Sequence, residues 1–176
     1  ILTSKNHRTG TDRIYEALKK LDKKDTDLII NLQGDEPLMK SDDIKNLNDK
    51  MILSKSKIGT LASNFLNKDL YENQNVVKVK TKESLQVSNF PEAINFMRKS
   101  EHFEENIYHH LGIYCYDIET LKTYVSIKQS PKEIKSRLEQ LRALDNNIKI
   151  NVAQAKSSPI GLDTMEDYVA IKKIME

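Results

Sequence analysis

Apolar residues in the first stretch of the chain fall on one helical face. Ile14, Ala17, Leu18 and Leu21 recur at offsets of three and four and predict a helix from about Asp12 to Leu21. Leu28-Ile29-Ile30-Asn31-Leu32 follows, a short apolar run between Asp27 and Gly34 that reads as a strand covered on both faces. Ser41 is a good N-cap for a helix carrying Ile44, Leu47, Met51 and Ile52, and a strand is expected at Ile58 to Ser63. Between Asn75 and Arg98 the period shortens to two. Val77 and Val79 alternate with Lys78 and Lys80, Leu85 and Val87 with Gln86 and Ser88, and Ile94 and Phe96 with Asn95 and Met97, which predicts antiparallel strands with one wetted face. Further on come a strand at Leu111 to Tyr116, a helix near Ile118 to Val125, and a Pro131-initiated helix carrying Ile134, Leu138, Leu141 and Leu144. A strand at Lys149 to Ala153 and a helix from Met165, with Thr164 and Asp167 as a capping box, close the pattern. The sum is an α/β fold with a mostly parallel mixed sheet and an antiparallel excursion, read as a single domain over residues 1–176.

Composition narrows the class. A chain of 176 residues is long enough for one sizeable core. Cys115 is the sole cysteine, which excludes an internal disulfide scaffold and points to a reduced, cytoplasmic setting. No run approaches the roughly 20 apolar residues of a membrane helix, and the first residues carry His, Lys and Arg, so neither a membrane span nor a signal peptide is expected. The net charge is +2, with Lys interspersed among Asp and Glu, which gives no case for nucleic acid. An anionic ligand must therefore be bound by local geometry.

Open α/β sheets bind ligands beyond the carboxyl ends of their strands, where Gln33-Gly34-Asp35-Glu36-Pro37 falls. Gly34 admits close backbone approach, and Asp35 or Glu36 offers a hard carboxylate suited to Mg²⁺ held jointly with substrate phosphates. The same residues also read as a solvated acidic turn. Asp163, in Gly161-Leu162-Asp163-Thr164, either favours the start of the last helix or joins Asp35 on a metal. His109 and His110 are adjacent on a strand and point to opposite faces, which argues against a zinc site.

Five ordered blocks resemble one family. His7-Arg8-Thr9-Gly10-Thr11-Asp12-Arg13, Leu32 to Pro37, His110-Leu111-Gly112-Ile113-Tyr114, Leu138-Glu139-Gln140-Leu141-Arg142 and Gly161 to Thr164 are similar, in that order, to the 3-deoxy-manno-octulosonate cytidylyltransferases. The resemblance implies a three-layer fold of the nucleotide-diphospho-sugar transferase type and a homodimer paired through the antiparallel excursion. It also implies coupling of CTP to the acid sugar 3-deoxy-D-manno-octulosonate (KDO) for lipopolysaccharide synthesis. By the same resemblance Asp35 and Asp163 hold Mg²⁺, Gly10, Thr11, Arg13, Gln33 and Gly34 surround the nucleotide, and Arg98 meets the sugar acid. His110, Tyr114, Glu139 and Gln140 then line the sugar pocket. Bland readings stand beside these: Arg98 as a solvated edge residue, Tyr114 as core packing, and Glu139 and Gln140 as the polar flank of a helix.

Nothing in the chain matches the family's Arg- and Lys-containing triphosphate loop, Ala-Arg-x-x-Ser-x-Arg-Leu-Pro-x-Lys, or its first strand. The expectation is a partial enzyme, inactive or nearly so alone, whose Leu28 to Leu32 strand lacks a neighbour. The rivals are a cytidylyltransferase for 8-amino KDO or a sialic acid, and a non-catalytic sugar-binding or dimerisation remnant.

Overall fold

The computed structural model describes residues 1–22, 26–100, 104–159, 161–162 and 164–176. Along the chain lie α1 (Gly10–Leu21), β1 (Leu28–Asn31), α2 (Ser41–Ser54), β2 (Ile58–Ser63), α3 (Lys68–Glu72), β3 (Lys78–Thr81) and β4 (Ala93–Met97). Then come β5 (Ile107–Asp117), α4 (Ile118–Ser126), α5 (Pro131–Ser136), α6 (Leu141–Asp145), β6 (Ile150–Gln154) and α7 (Met165–Met175). No described helix is long and apolar enough to cross a membrane.

The strand order is β4-β3-β5-β2-β6, with β1 also paired to β5. β5 is the organiser: it pairs antiparallel with β2, with β3 through Ile107 to His109, and with β1 through Tyr114 to Asp117. β1, β2, β3 and β6 therefore run one way and β4 and β5 the other. Most strands share one direction, as expected, yet β2 with β6 is the parallel hydrogen-bonded pair because β5 intervenes.

Alternation along β5 divides two apolar clusters. Tyr108, Tyr114 and Tyr116 join Leu121 and Tyr124 of α4, Leu141 and Ala143 of α6, and Tyr15 and Leu18 of α1. Leu111, Ile113 and Cys115 face the other way, toward Leu47 and Met51 of α2. The sheet is thus the middle of three layers. Residues of β1 touch both clusters but are only half-buried, and β1 has one strand neighbour among the described residues.

Several expectations are corrected. Lys40, not Ser41, occupies the N-cap of α2, and it makes no side-chain cap bond. Leu85 to Ser88 form a turn in which Ser84 O accepts the Val87 and Ser88 N–H groups, because the short polar side chain of Ser84 supports local bonding over a ladder. Ile94 is half-exposed while Ala93 and Phe96 are buried: the register jumps from Lys80–Asn95 to Thr81–Ala93, and this bulge reverses the facing. Lys78, expected on a wetted face, is fully buried. The long helix from Pro131 is two helices, broken where Arg137 adopts φ 52° and its N–H caps Glu133 O.

Candidate functional site

The acidic turn is tied to the sheet from two sides. The register of β5 against β2 jumps between Thr60–Tyr114 and Leu61–Leu111, so Gly112 and Ile113 face no β2 residue. Gly112 donates its N–H to Glu36 Oε1 at 3.1 Å. A Cβ on Gly112 would stand 3.5 Å from that oxygen, an ordinary contact distance. Glu36 is thereby committed to the fold, and Asp35 is left exposed with no side-chain bond among the described residues. The Asp35 carbonyl accepts the Leu162 N–H at 2.8 Å, which brings the lead-in to α7 against the turn. Asp163 itself lies outside the described residues. Gly34 has an ordinary φ, and a Cβ there would meet nothing within 4 Å, so its smallness leaves open space rather than permitting a strained turn. Gly10, at the start of α1, places its Cβ direction 4.0 Å from Gln33 Nε2.

Next to this turn, one face of β5 carries a row of rings. Phe96 and His110 meet edge to face at 5.1 Å, His110 and Tyr114 lie 5.4 Å apart, and Tyr114 stacks on Tyr116 at 5.8 Å. Thr11, buried at the start of α1, shares a 3.2 Å hydrogen bond with Tyr116 Oη. Glu139 and Gln140 fall in the break between α5 and α6 instead of on a helix flank, and Gln140 is buried. Tyr114 Oη and Glu139 Oε1 are buried without hydrogen-bond partners in the described structure. Burial pushes the Glu139 carboxyl up, against the lowering pull of the Thr11 and Thr9 hydroxyls and Arg142. Burial, reinforced by the neighbouring His109, pushes His110 down to about 3, so it is neutral near pH 7. His109 does face the other way, stacked on Phe65 and bonded to Ser158.

Arg98 sits just past β4 at the Phe96 end of the row. Its guanidinium donates to Ser136 O, Arg137 O, Gln74 O and Asn75 O at 3.2–3.4 Å. Lys78 Nζ donates to Asn73 O, Val76 O and Arg98 O at 2.6–3.0 Å. Four successive carbonyls, 73 to 76, are thus turned onto two cations, neither of which pairs with an acid among the described residues. Arg13 lies apart from this assembly, its guanidinium held by Thr3 Oγ1 and Ser4 O.

Beneath Glu139 is a buried ionic support. Arg142 Nε and Nη2 donate to the two oxygens of Glu133 at 2.9 and 2.6 Å, and its guanidinium lies 4.8 Å from the Tyr124 ring centre. Tyr124 Oη donates to Glu139 O at 2.7 Å. Sequence reasoning assigned no role to Arg142, Lys78 or Thr60. A hydroxyl inside the apolar run of β2 is a signal for Thr60, whereas the alternation around Lys78 actively misled.

Residues 1–150 match the family described as Cytidylyltransferase. The 3-deoxy-manno-octulosonate cytidylyltransferase of Thermodesulfovibrio yellowstonii is 40% identical, the match covering 99% of this chain and 72% of the relative. That of Bartonella tribocorum is 37% identical with the same coverage. A solved structure of CMP:2-keto-3-deoxy-manno-octonic acid synthetase complexed with CTP superposes with a TM-score of 0.85 at 28% identity, over 99% of this chain and 71% of that one. An apo UDP-glucose pyrophosphorylase, 12% identical, shares the fold with a TM-score of 0.71 over 99% of this chain and 62% of its own.

Proposed function

We propose that this chain, which belongs to the 3-deoxy-manno-octulosonate cytidylyltransferase family, couples CTP to KDO to give CMP-KDO and pyrophosphate, the activated sugar for lipopolysaccharide synthesis. The observation that carries the reading from the site is the pair of buried, partnerless polar atoms, Tyr114 Oη and Glu139 Oε1. A polyhydroxylated ligand satisfies both a phenol and a carboxylate oxygen, and an apolar ligand would leave both desolvated at about 1–3 kcal/mol each.

In the reaction the anomeric hydroxyl oxygen of KDO bonds to the α-phosphorus of CTP, the α–β bridging bond breaks, and pyrophosphate leaves. His110, Tyr114, Glu139 and Gln140 orient the sugar hydroxyls. Arg98 takes the sugar carboxylate: its present bonds to neutral carbonyls are long, and a charged oxygen displaces them with advantage. Gly10, Thr11, Arg13, Gln33 and Gly34 surround the nucleotide. Asp35, with Asp163, holds Mg²⁺, which when bound neutralises charge on the phosphate oxygens. The uncommitted Asp35 carboxylate supports this role. The protein acts as a homodimer in the cytoplasm.

Because no triphosphate loop is present in these 176 residues, we expect them alone to release little pyrophosphate; a rate comparable with a full-length relative overturns that. Binding is accordingly the primary test. In calorimetry KDO binds, Tyr114→Phe weakens it about five- to tenfold, and sialic acid binds less tightly than KDO. Asp35→Asn removes the Mg²⁺-dependent part of CTP binding and spares KDO. Tighter sialic acid binding refutes the sugar assignment, and unchanged Mg²⁺ dependence removes Asp35 from the metal.

A further inference from the structure

The register jump that ties the acidic turn to β5 also leaves Ile113 outside the β2 pairing, and Thr60, the last β2 residue before the jump and paired with Tyr114, reaches the Ile113 carbonyl with its hydroxyl. Thr60 is fully buried, and its hydroxyl makes two short contacts, to Ile113 O at 2.7 Å and to His110 Nε2 at 2.9 Å. A carbonyl oxygen only accepts, so the single hydroxyl proton of Thr60 is spent on Ile113. Oγ1 must then accept from His110, because two lone pairs 2.9 Å apart would repel. Leu111 O, 3.4 Å away, also only accepts and competes for the same proton without changing this result.

We propose that Thr60 is a positioning residue that holds His110 as the tautomer protonated on Nε2, leaving Nδ1 as a hydrogen-bond acceptor for a hydroxyl of the acid sugar. The assignment to the sugar rests on the function proposed above; the proton on Nε2 rests on geometry. Among the described residues no group is bonded to Nδ1. The ring is also restrained sideways, by the edge contact with Phe96 and the tilted contact with Tyr114, so the hydrogen bond decides its rotation about the remaining freedom. The neutral state needed for a single tautomer follows from burial. His110 then offers an acceptor beside the unpartnered Tyr114 Oη, which distinguishes a substrate with a hydroxyl at that point from one lacking it.

The test is nitrogen-15 NMR of the imidazole rings in the labelled 176-residue chain, with KDO affinity measured in parallel. Wild-type protein shows His110 with a protonated-type Nε2 and an unprotonated-type Nδ1. Thr60→Val, similar in shape but unable to bond, gives a mixed or reversed tautomer and about tenfold weaker KDO binding, and Thr60→Ser restores both. A protonated Nδ1 in the wild type overturns the proposal without any variant having to fold. So does a Thr60→Val protein that loses affinity while its ring signals stay as in the wild type, since Thr60 would then act through packing. If wild-type protein fails to bind KDO at all, the functional reading fails, and the ring spectrum still decides the role of Thr60.

Discussion

Replacing Arg142 by Met removes both bonds to Glu133 and strands its carboxylate in the interior. The two side chains are each only about 2–3% exposed, so solvent cannot stand in for the lost partner. Glu133 would keep only Gln129 Nε2 at 2.9 Å and the Ser130 N–H at 3.2 Å. Breaking a buried pair on one side costs about 3–5 kcal/mol, and the lost contact with the Tyr124 ring adds about 0.5–2 kcal/mol. That is a large part of a typical domain's stability of about 5–15 kcal/mol. Glu133→Gln combined with Arg142→Met removes both charges of this pair and should recover most of the loss. The pH dependence gives an independent check. In the wild type, burial raises Glu133, but the bonds from Arg142 and Gln129 outweigh it and hold the carboxyl below its usual range. In the single variant burial prevails and the folded-state pKa lies above the unfolded one. Its penalty is then full at high pH and shrinks as pH falls toward the ordinary carboxylate value. Urea denaturation at pH 8 and pH 5 should therefore show a larger difference from wild type at pH 8. A loss below about 1 kcal/mol, an equal loss at both pH values, or no recovery in the double variant refutes the reasoning. Because Tyr124 joins Arg142 to the Glu139 carbonyl, KDO affinity should fall in the single variant as well.

Two other outcomes are expected. Burial depresses His110 to about 3 and His109 to about 4, so the unfolded chain takes up protons before the folded one does as pH falls below about 6.5. His110 alone then lowers stability by about 2 kcal/mol between pH 7 and pH 5. Glu139, raised by burial, works in the opposite sense near the acid end. Denaturation midpoints that fall toward pH 5, with a shallower fall in His110→Gln, support this, and a flat profile counts against it. The side of β4 that has no ladder partner among the described residues, with Ile94 half-exposed, is where two copies should pair. Ile94→Asp should shift sedimentation from dimer toward monomer; a wild-type monomer at every concentration refutes the pairing.

Much of the architecture was legible from local pattern. The 3.6-residue spacing around Ile14 to Leu21 and the Thr164–Asp167 capping box report contacts made within a turn or two of the chain, and the apolar runs at Leu28 and Ile58 report burial in the sheet whichever strands lie beside them. The failures share another cause. Ile94 and Phe96 seemed to share a face until a bulge against β3 separated them, and Pro131 to Leu144 seemed one helix until Arg137 broke it.

The site shows the same division. Most of the residues proposed for it stand in the five ordered blocks, including Asp35, Tyr114 and Glu139. The sequence by itself determined the α/β layering, the acidic turn after β1 and the family. Tertiary structure alone decided that Glu36 is bound to Gly112 while Asp35 makes no side-chain bond among the described residues. It also buried Lys78 on three carbonyls and set Thr60 against His110. The reason is physical: a polar side chain's role depends on which donor or acceptor lies within about 3 Å. Those partners come from 50 or 76 positions away, fixed by a two-residue slip in strand register that no local periodicity records.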